Sequence, residues 1–353
     1  MKKQFRLKEI IAGIISLLLV LSLAGCGGGK EQPSKNSSDS STQKQYIMRI
    51  GTVTIKPQMQ AATMEEYKKR LEAKLGDKVK VELYPASQLG TIQQMVQGLQ
   101  NGSVQAVVIP TGFYANVAPA ISVFDVPFLL TNAEQGARIL NSGGDKELAK
   151  YLATKGLVPM SWVQSLRPSM VSKKPITKME DFKGQKIRVF PNPIAQMTFT
   201  SFGASPTTID TAELTSAIQQ GTIDSITGDA SLFASMKLYQ QAPNLLIAPQ
   251  GAVLAPFMAS KTWLDNLPTD IKDTVIKTAM ETVTEFEYDY VKTYEANILK
   301  DFEAKGVKIT EPSPEFNAQM QQASIAVHDK YKNSGPEAKA IYDSLKAEID
   351  KAK

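Results

Sequence analysis

From Tyr46 onward, apolar positions switch back and forth between two periods. Ile47–Ile55 (IMRIGTVTI) alternates like a strand, and Met59, Met64, Tyr67, Leu71 and Leu75 then recur at helical spacing. Val79–Tyr84 reads as a second strand stopped by Pro85. Thr91–Gln100 reads as a helix closed by Asn101-Gly102, and Ala106–Ile109 as a buried strand stopped by Pro110. This β-α-β-α-β order predicts parallel strands joined by right-handed crossovers. Open sheets of that kind take ligands beyond the carboxyl ends of their strands. The candidate loops are therefore Lys56–Gln58, Ala86–Gly90 and Thr111–Tyr114.

A second α/β unit begins near Arg167. Ile187–Phe190 reads as a strand, Ile194–Phe202 as a helix, Thr211–Gln220 as a helix closed by Gly221, and Ser225–Thr227 as a short strand. Leu245–Ala248 and Val253–Ala259 read as strands returning toward the first unit. The expected division is residues 46–165 for domain I and 166–250 for domain II. Residues 251–353 complete both, and no linker-like composition separates them. From Pro268-Thr269-Asp270 a helix opens, and Ile271, Val275, Ala279, Val283, Phe286, Tyr290, Tyr294 and Ile298 recur every three or four residues. Neither Gly nor Pro interrupts it before Gly306, so about 35 residues give roughly 50 Å at 1.5 Å each. Such a helix serves either as a strut across both domains or as a coiled-coil seam; the strut fits the rest of the chain better. Two amphipathic helices, Pro314–Tyr331 and Pro336–Ala352, close the chain.

Ahead of this body, Lys2, Lys3, Arg6 and Lys8 precede an uncharged apolar run, Ile10–Ala24, that ends in Leu23-Ala24-Gly25-Cys26. The run is short for a helix crossing about 30 Å of hydrocarbon and suits the apolar region of a secretory signal over residues 1–25. The Leu-Ala-Gly-Cys ending resembles the bacterial lipobox, in which the cysteine is acylated and anchors the chain to a membrane; a plain signal peptide or a short anchor helix, with Cys26 an ordinary residue, is the alternative. Residues 26–45 are rich in Gly, Ser and polar residues and read as a flexible tether reaching roughly 25 Å.

Composition removes several function classes. Of 40 basic and 35 acidic residues, the leader holds four and one, so the body carries 36 against 34 and no electrostatic footprint for nucleic acid. One cysteine and one histidine, His328, leave no cysteine- or histidine-based metal cluster and no cofactor signature. No GxGxxG, GxxxxGK[ST] or GxSxG occurs. The one SxxK, Ser41–Lys44, sits in the tether, and Asp181, Asp210, Asp224 and Asp229 show no pairing in sequence. Nothing here argues for an enzyme, and His328, Trp162 and Trp263 read as packing residues.

A set of motifs in fixed order remains. Tyr84-Pro85-Ala86-Ser87-Gln88-Leu89-Gly90, the stretch from Asn101-Gly102 to Thr111-Gly112-Phe113, and Val123-Phe124-Asp125-Val126-Pro127-Phe128-Leu129-Leu130 come first. Glu180-Asp181-Phe182-Lys183-Gly184-Gln185-Lys186-Ile187-Arg188-Val189 follows, then Phe202-Gly203-Ala204-Ser205-Pro206-Thr207, Ala217-Ile218-Gln219-Gln220-Gly221 and Trp263-Leu264-Asp265-Asn266-Leu267-Pro268. Together they resemble the solute-binding subunits of tripartite ATP-independent periplasmic (TRAP) transporters, of the dicarboxylate-binding type. The resemblance implies a two-domain α/β fold, like type II periplasmic binding proteins, with a long helix along both domains. It implies capture of a small organic acid, no catalysis, delivery to the membrane subunits of a TRAP permease, and an extracytoplasmic monomer held to the membrane through Cys26. An importer driven by ATP, a sensor kinase or an extracytoplasmic enzyme are the rival settings.

The resemblance also assigns residues. Arg188 falls on the family's substrate-carboxylate arginine, and a guanidinium fork matches both carboxylate oxygens. Arg167, in Ser165-Leu166-Arg167-Pro168, matches a second arginine of the cleft. Phe190 either packs on the ligand or fills the core, and Gln88 reaches in from domain I. Members that bind hydroxylated sugar acids carry Glu and Arg where this chain has Ile92 and Gln93. Gly228 stands where an asparagine often completes the anion site, and Thr211 where an aromatic is common. The departures predict an acid with a short or apolar remainder and added room at Gly228, unless Asp229 receives an amino group.

Overall fold

The computed structural model describes residues 44–248 and 251–352. The expected signal segment, Cys26 and the expected tether up to Gln43 lie outside the described residues. Eleven strands form two sheets. The first orders as β2 (Val79–Tyr84), β1 (Tyr46–Gly51), β3 (Ala106–Val108), β10 (Leu254–Ser260) and β4 (Leu157–Gln164). The second orders as β11 (Lys308–Thr310), β9 (Asn244–Ile247), β5 (Pro168–Ser172), β8 (Ser225–Asp229), β6 (Lys186–Val189) and β7 (Ser205–Thr208). β1 runs parallel to β2 and β3, and β6 parallel to β7 and β8, as the crossover reading requires. This is the two-domain α/β fold of type II binding proteins, and the chain passes between sheets within 165–167 and again within 248–253.

Local chemistry sets several boundaries. Thr91 caps the helix Ile92–Asn101 reciprocally: its hydroxyl accepts from the Gln94 amide at 3.3 Å, and the Gln94 side chain accepts from the Thr91 amide at 2.8 Å. Gly102 ends that helix at φ 83°, a left-handed conformation in which glycine suffers no Cβ penalty. Pro193 opens the helix Pro193–Ser201 behind Asn192, whose Oδ1 accepts from the Ala195 amide at 2.8 Å.

The sequence expectation fails at identifiable places. Leu245–Ala248 does not return to the first unit; β9 lies inside the second sheet, antiparallel to β5. Only β10 returns, antiparallel to both β3 and β4. A short buried run shows its burial and not its neighbour, so periodicity could not choose the sheet. The helix expected over Thr211–Gln220 opens with a tight turn, Thr211–Glu213, before Leu214–Gln220.

The long helix is present from Thr269 to Ala304, with a widened π turn at Val283–Glu287. Its apolar seam is buried against this chain, with Val275, Ala279, Val283 and Phe302 fully covered, so no coiled-coil partner is needed to explain it. On the first sheet's side the Tyr67 hydroxyl donates to the Val275 carbonyl at 3.2 Å; on the second's, Phe302 packs on Tyr239 with ring centroids 5.2 Å apart. The π turn aims Glu287 inward, where it is wholly buried and accepts from the Gln164 amide at the end of β4. His328 packs as expected, bonded to the Tyr342 hydroxyl at 2.8 Å and the Pro127 carbonyl at 2.7 Å. Trp162 is buried, and its indole N–H donates to Asp145 at 2.8 Å.

Candidate functional site

The carboxyl ends of β3 and β6 face each other across the two sheets. Pro110 ends β3, and the turn Thr111–Tyr114 carries Phe113 toward the second domain. There Phe113 meets Phe190, just past β6, edge to face with centroids 5.4 Å apart. Gly112 allows that approach, since a Cβ there would lie 3.1 Å from the Phe190 Cβ and 3.3 Å from Asn192 Nδ2. The two domains therefore touch across the cleft in this structure.

Arg188 lies beside that contact. It lies on β6 between β7 and β8, and only 1% of its surface is exposed. Nε donates to the Ile209 carbonyl at 3.1 Å and Nη1 to the Thr227 carbonyl at 3.5 Å, while the Thr227 hydroxyl donates to the Arg188 carbonyl at 3.0 Å. The guanidinium lies over the Phe190 ring, 5.2 Å from its centroid. Burial pulls its pKa down to about 10, and the field of Asp210 pulls the other way, so it stays protonated at neutral pH. Among the described residues no carboxylate pairs with it; its partners are neutral carbonyls.

A cavity of about 250 Å³ opens beside the guanidinium, lined by Ile92, Gln93, Phe113, Arg188, Pro191, Thr208, Ile209, Asp210 and Glu213. A second, of about 80 Å³, lies on the Phe190 side and includes Phe124, Asp125, Ser169, Phe199, Thr227 and Gly228. Asp125 Oδ2, Ser169 Oγ and Asn192 Nδ2 are sealed from solvent and make no hydrogen bond. Burial pushes the Asp125 carboxyl up to about 7, against a smaller downward pull from the nearby Asn192 amide. Unpaired buried polar atoms are rare in folded proteins, and three beside one cleft need a reason.

The structure brings together only part of the residue set expected from the sequence. Arg188 and Phe190 meet, and Phe190 serves both neighbours at once, packing on the guanidinium and walling the smaller cavity. Gly228 lines the smaller cavity, but the space its missing side chain leaves is taken: a Cβ there would lie 2.9 Å from Leu232 Cδ2. The added room expected at Gly228 is not found. Gln88 is exposed on its turn and lines neither cavity, whereas Gln93, one turn along the next helix, lines the larger. Thr211 is half-buried and lines neither, although Asp210 and Glu213 on either side of it line the larger.

Arg167 stands apart from Arg188. It bonds Glu295 on the long helix at 3.1 Å and Glu311 at 2.9 Å, is 45% exposed, and lines neither cavity. Asp229 is spoken for as well: Oδ1 caps the helix Ala230–Ser235, accepting from the Ser231 amide and hydroxyl and from the Leu232 amide. Sequence reasoning gave no role to Asp125, Ser169 and Asn192, and held Phe113 only as a member of the candidate loop Thr111–Tyr114. For Asp125 a signal existed, a lone charge within the apolar run Ile121–Leu130.

Two α/β domains meeting at a cleft are the architecture of type II binding proteins. The chain belongs to bacterial extracellular solute-binding protein family 7 (DctP), which it matches over residues 50–334. It is 24% identical over 275 residues to the ectoine-binding periplasmic protein TeaA of Halomonas elongata, covering 76% of this chain and 80% of that one. Two solved TRAP periplasmic solute-binding proteins share the fold. One, from Desulfovibrio salexigens with bound orotic acid, has TM-score 0.82 and 24% identity over 87% of this chain and 99% of that one. The other, from Haemophilus influenzae with bound L-gulonate, has TM-score 0.81 and 21% identity over 86% and 100%.

Proposed function

We propose that this protein captures a small organic acid in the cleft between its domains, with the acid's carboxylate on Arg188, and hands it to a TRAP permease. The observation that carries the reading is the state of Arg188: a fully buried cation whose hydrogen-bond partners are two neutral carbonyls. A buried charge without a counter-ion is destabilising by several kcal/mol. An incoming carboxylate supplies the missing charge and accepts the fork's remaining donors. Because the Phe113–Phe190 contact joins the domains beside that cation, an acid bound there stabilises the closed arrangement over an open one. The solutes named for the relatives, ectoine, orotic acid and L-gulonate, are small molecules of a size such a cleft holds.

The anchoring part of the reading rests on Cys26. A lipid on that residue and a tether of roughly 25 Å would keep the binding domain within reach of a membrane permease. Cys26→Ala should move the protein from the membrane fraction to the soluble one, with solute binding intact. The capture itself is tested by thermal shift of the purified protein against matched carboxylic acids and their primary amides. At 100 times the dissociation constant a true ligand stabilises by about 2.7 kcal/mol. Stabilisation by acids and not by their amides is expected; equal stabilisation by both would refute the role given to Arg188.

A further inference from the structure

Two cavities adjoin the aromatic pair: Phe113 lines the Arg188 cavity, and Phe190 lines the cavity of about 80 Å³. A water needs roughly 10–15 Å³ of such space, so the smaller one admits a functional group and not a whole sugar. Its walls are mostly apolar: Phe124, Phe190 and Phe199 are among them. Against that background Asp125 and Ser169 stand out. Asp125 Oδ2 and Ser169 Oγ are sealed and make no hydrogen bond; among the described residues the only polar side chain acting on Asp125 is the neutral Asn192 amide, and Ser169 as a whole is only 3% exposed. The other two polar side chains in the lining are already bonded: Thr227 donates to the Arg188 carbonyl and Thr198 to the Ile194 carbonyl. A carboxylate and a hydroxyl acceptor in an apolar pocket, with no cation of the protein paired to them among the described residues, are complementary to a positively charged donor.

The larger cavity carries the matching half. Its one cation, Arg188, is buried at the back, while the carboxylates of Asp210 and Glu213 stand on exposed residues of the lining. A ligand that is only an anion meets those two acids as like charges, whereas a ligand with balanced charge does not. The compartments share a boundary, because Arg188 Nη1 donates to the carbonyl of Thr227, which lines the smaller one.

We propose that the smaller cavity is an ammonium subsite, and that the solute is a zwitterion whose carboxylate meets Arg188 while its protonated amine meets Asp125 and Ser169. This rests on the reading of Arg188 as the carboxylate site. It moves the amino-group role from Asp229, whose Oδ1 caps a helix and which lines neither cavity, to Asp125. It also offers the two polar residues of the smaller cavity a partner, since an ammonium supplies three donors.

The test equilibrates the full chain, purified and freed of bound solute, with an equimolar mixture. The mixture holds the standard amino acids, their 2-keto and des-amino counterparts, galacturonate and gluconate. Retained molecules are released by denaturation, identified by mass spectrometry, and ranked by calorimetric titration. The expected result is retention of an amino acid at least 100-fold more tightly than its des-amino and keto counterparts. Asp125→Asn should lower that amino acid's affinity at least 30-fold and so erase most of the preference. If that variant does not fold, Ser169→Ala should lower it about fivefold. Retention of a keto, des-amino or sugar acid in preference to every amino acid overturns the ammonium subsite and leaves the carboxylate reading standing. Retention of no carboxylate at all overturns both.

Discussion

Two arginines, 21 positions apart in the sequence, show how differently one side chain is used in the same cleft protein. Arg167 is nearly half exposed and spans Glu295 and Glu311, so its charge is matched within the fold. Arg188 is buried, bonded to carbonyls alone, and its pKa is drawn down to about 10 by that burial. The first ties the start of β5 to the long helix. The second holds an unanswered charge where the domains meet. A family pattern can mark both as arginines of the cleft; only the partners each has already found separate an ion-paired arginine from one bonded to neutral carbonyls. Asp125 and Asp229 repeat the contrast, one sealed with a free oxygen and the other consumed as a helix cap.

The contrast breaks most readily at Arg188. Arg188→Ala should weaken binding of the native solute by about 3–5 kcal/mol, the range for removing one partner of a buried ion pair, or roughly 10²–10⁴-fold in a calorimetric titration. Arg188→Lys should also bind poorly, since an ammonium keeps the charge and loses the fork.

Next in size is the pH dependence of the unliganded protein at Asp125. Its folded pKa, about 7, lies above the unfolded value, so the folded state holds the extra proton between roughly pH 4 and 7. That contribution favours folding below pH 4 and is lost as pH rises to about 7. Asp125→Asn cannot titrate and should gain on wild type across that window, by about 2–4 kcal/mol at pH 8. Denaturant melts at pH 4, 6 and 8 measure it; a constant difference between the two proteins would show that Asp125 is not buried in its charged form.

Gly112→Ala probes the domain contact. A methyl 3.1 Å from the Phe190 Cβ crowds the closed form by about 1–2 kcal/mol, and solute affinity should fall roughly 5–30-fold. Its melting temperature without solute should fall far less, because the clash is confined to the closed contact. The smallest effect belongs to Arg167→Ala. An exposed pair of ion contacts is worth about 0–1 kcal/mol, so stability should drop slightly and affinity should stay within threefold of wild type.

Much of the fold is legible in the sequence because local signals and tertiary outcome agree. Alternation gives β1 and β2, the Thr91 and Gln94 capping pair with Gly102 bounds its helix, and the seam from Ile271 to Ile298 gives the strut. Strands β7 and β11 carry too few residues for a period, and their pairing comes from neighbours far along the chain. The π turn is equally silent, since one extra residue per turn leaves the apolar seam almost unbroken while rotating Glu287 inward. At the site, Arg188 and Phe190 are legible through the motif that holds them. Asp125 shows in the sequence only as a lone charge in an apolar run, Val123-Phe124-Asp125-Val126; its buried oxygen and the cavity beside it emerge from the structure alone.

A crystal structure with the co-purified solute bound tests the central claim most directly. The account predicts both carboxylate oxygens of the solute within hydrogen-bond distance of the Arg188 fork, with Arg167 still on Glu295 and Glu311. A solute carboxylate on Arg167, with Arg188 still held only by the carbonyls of Ile209 and Thr227, would contradict it.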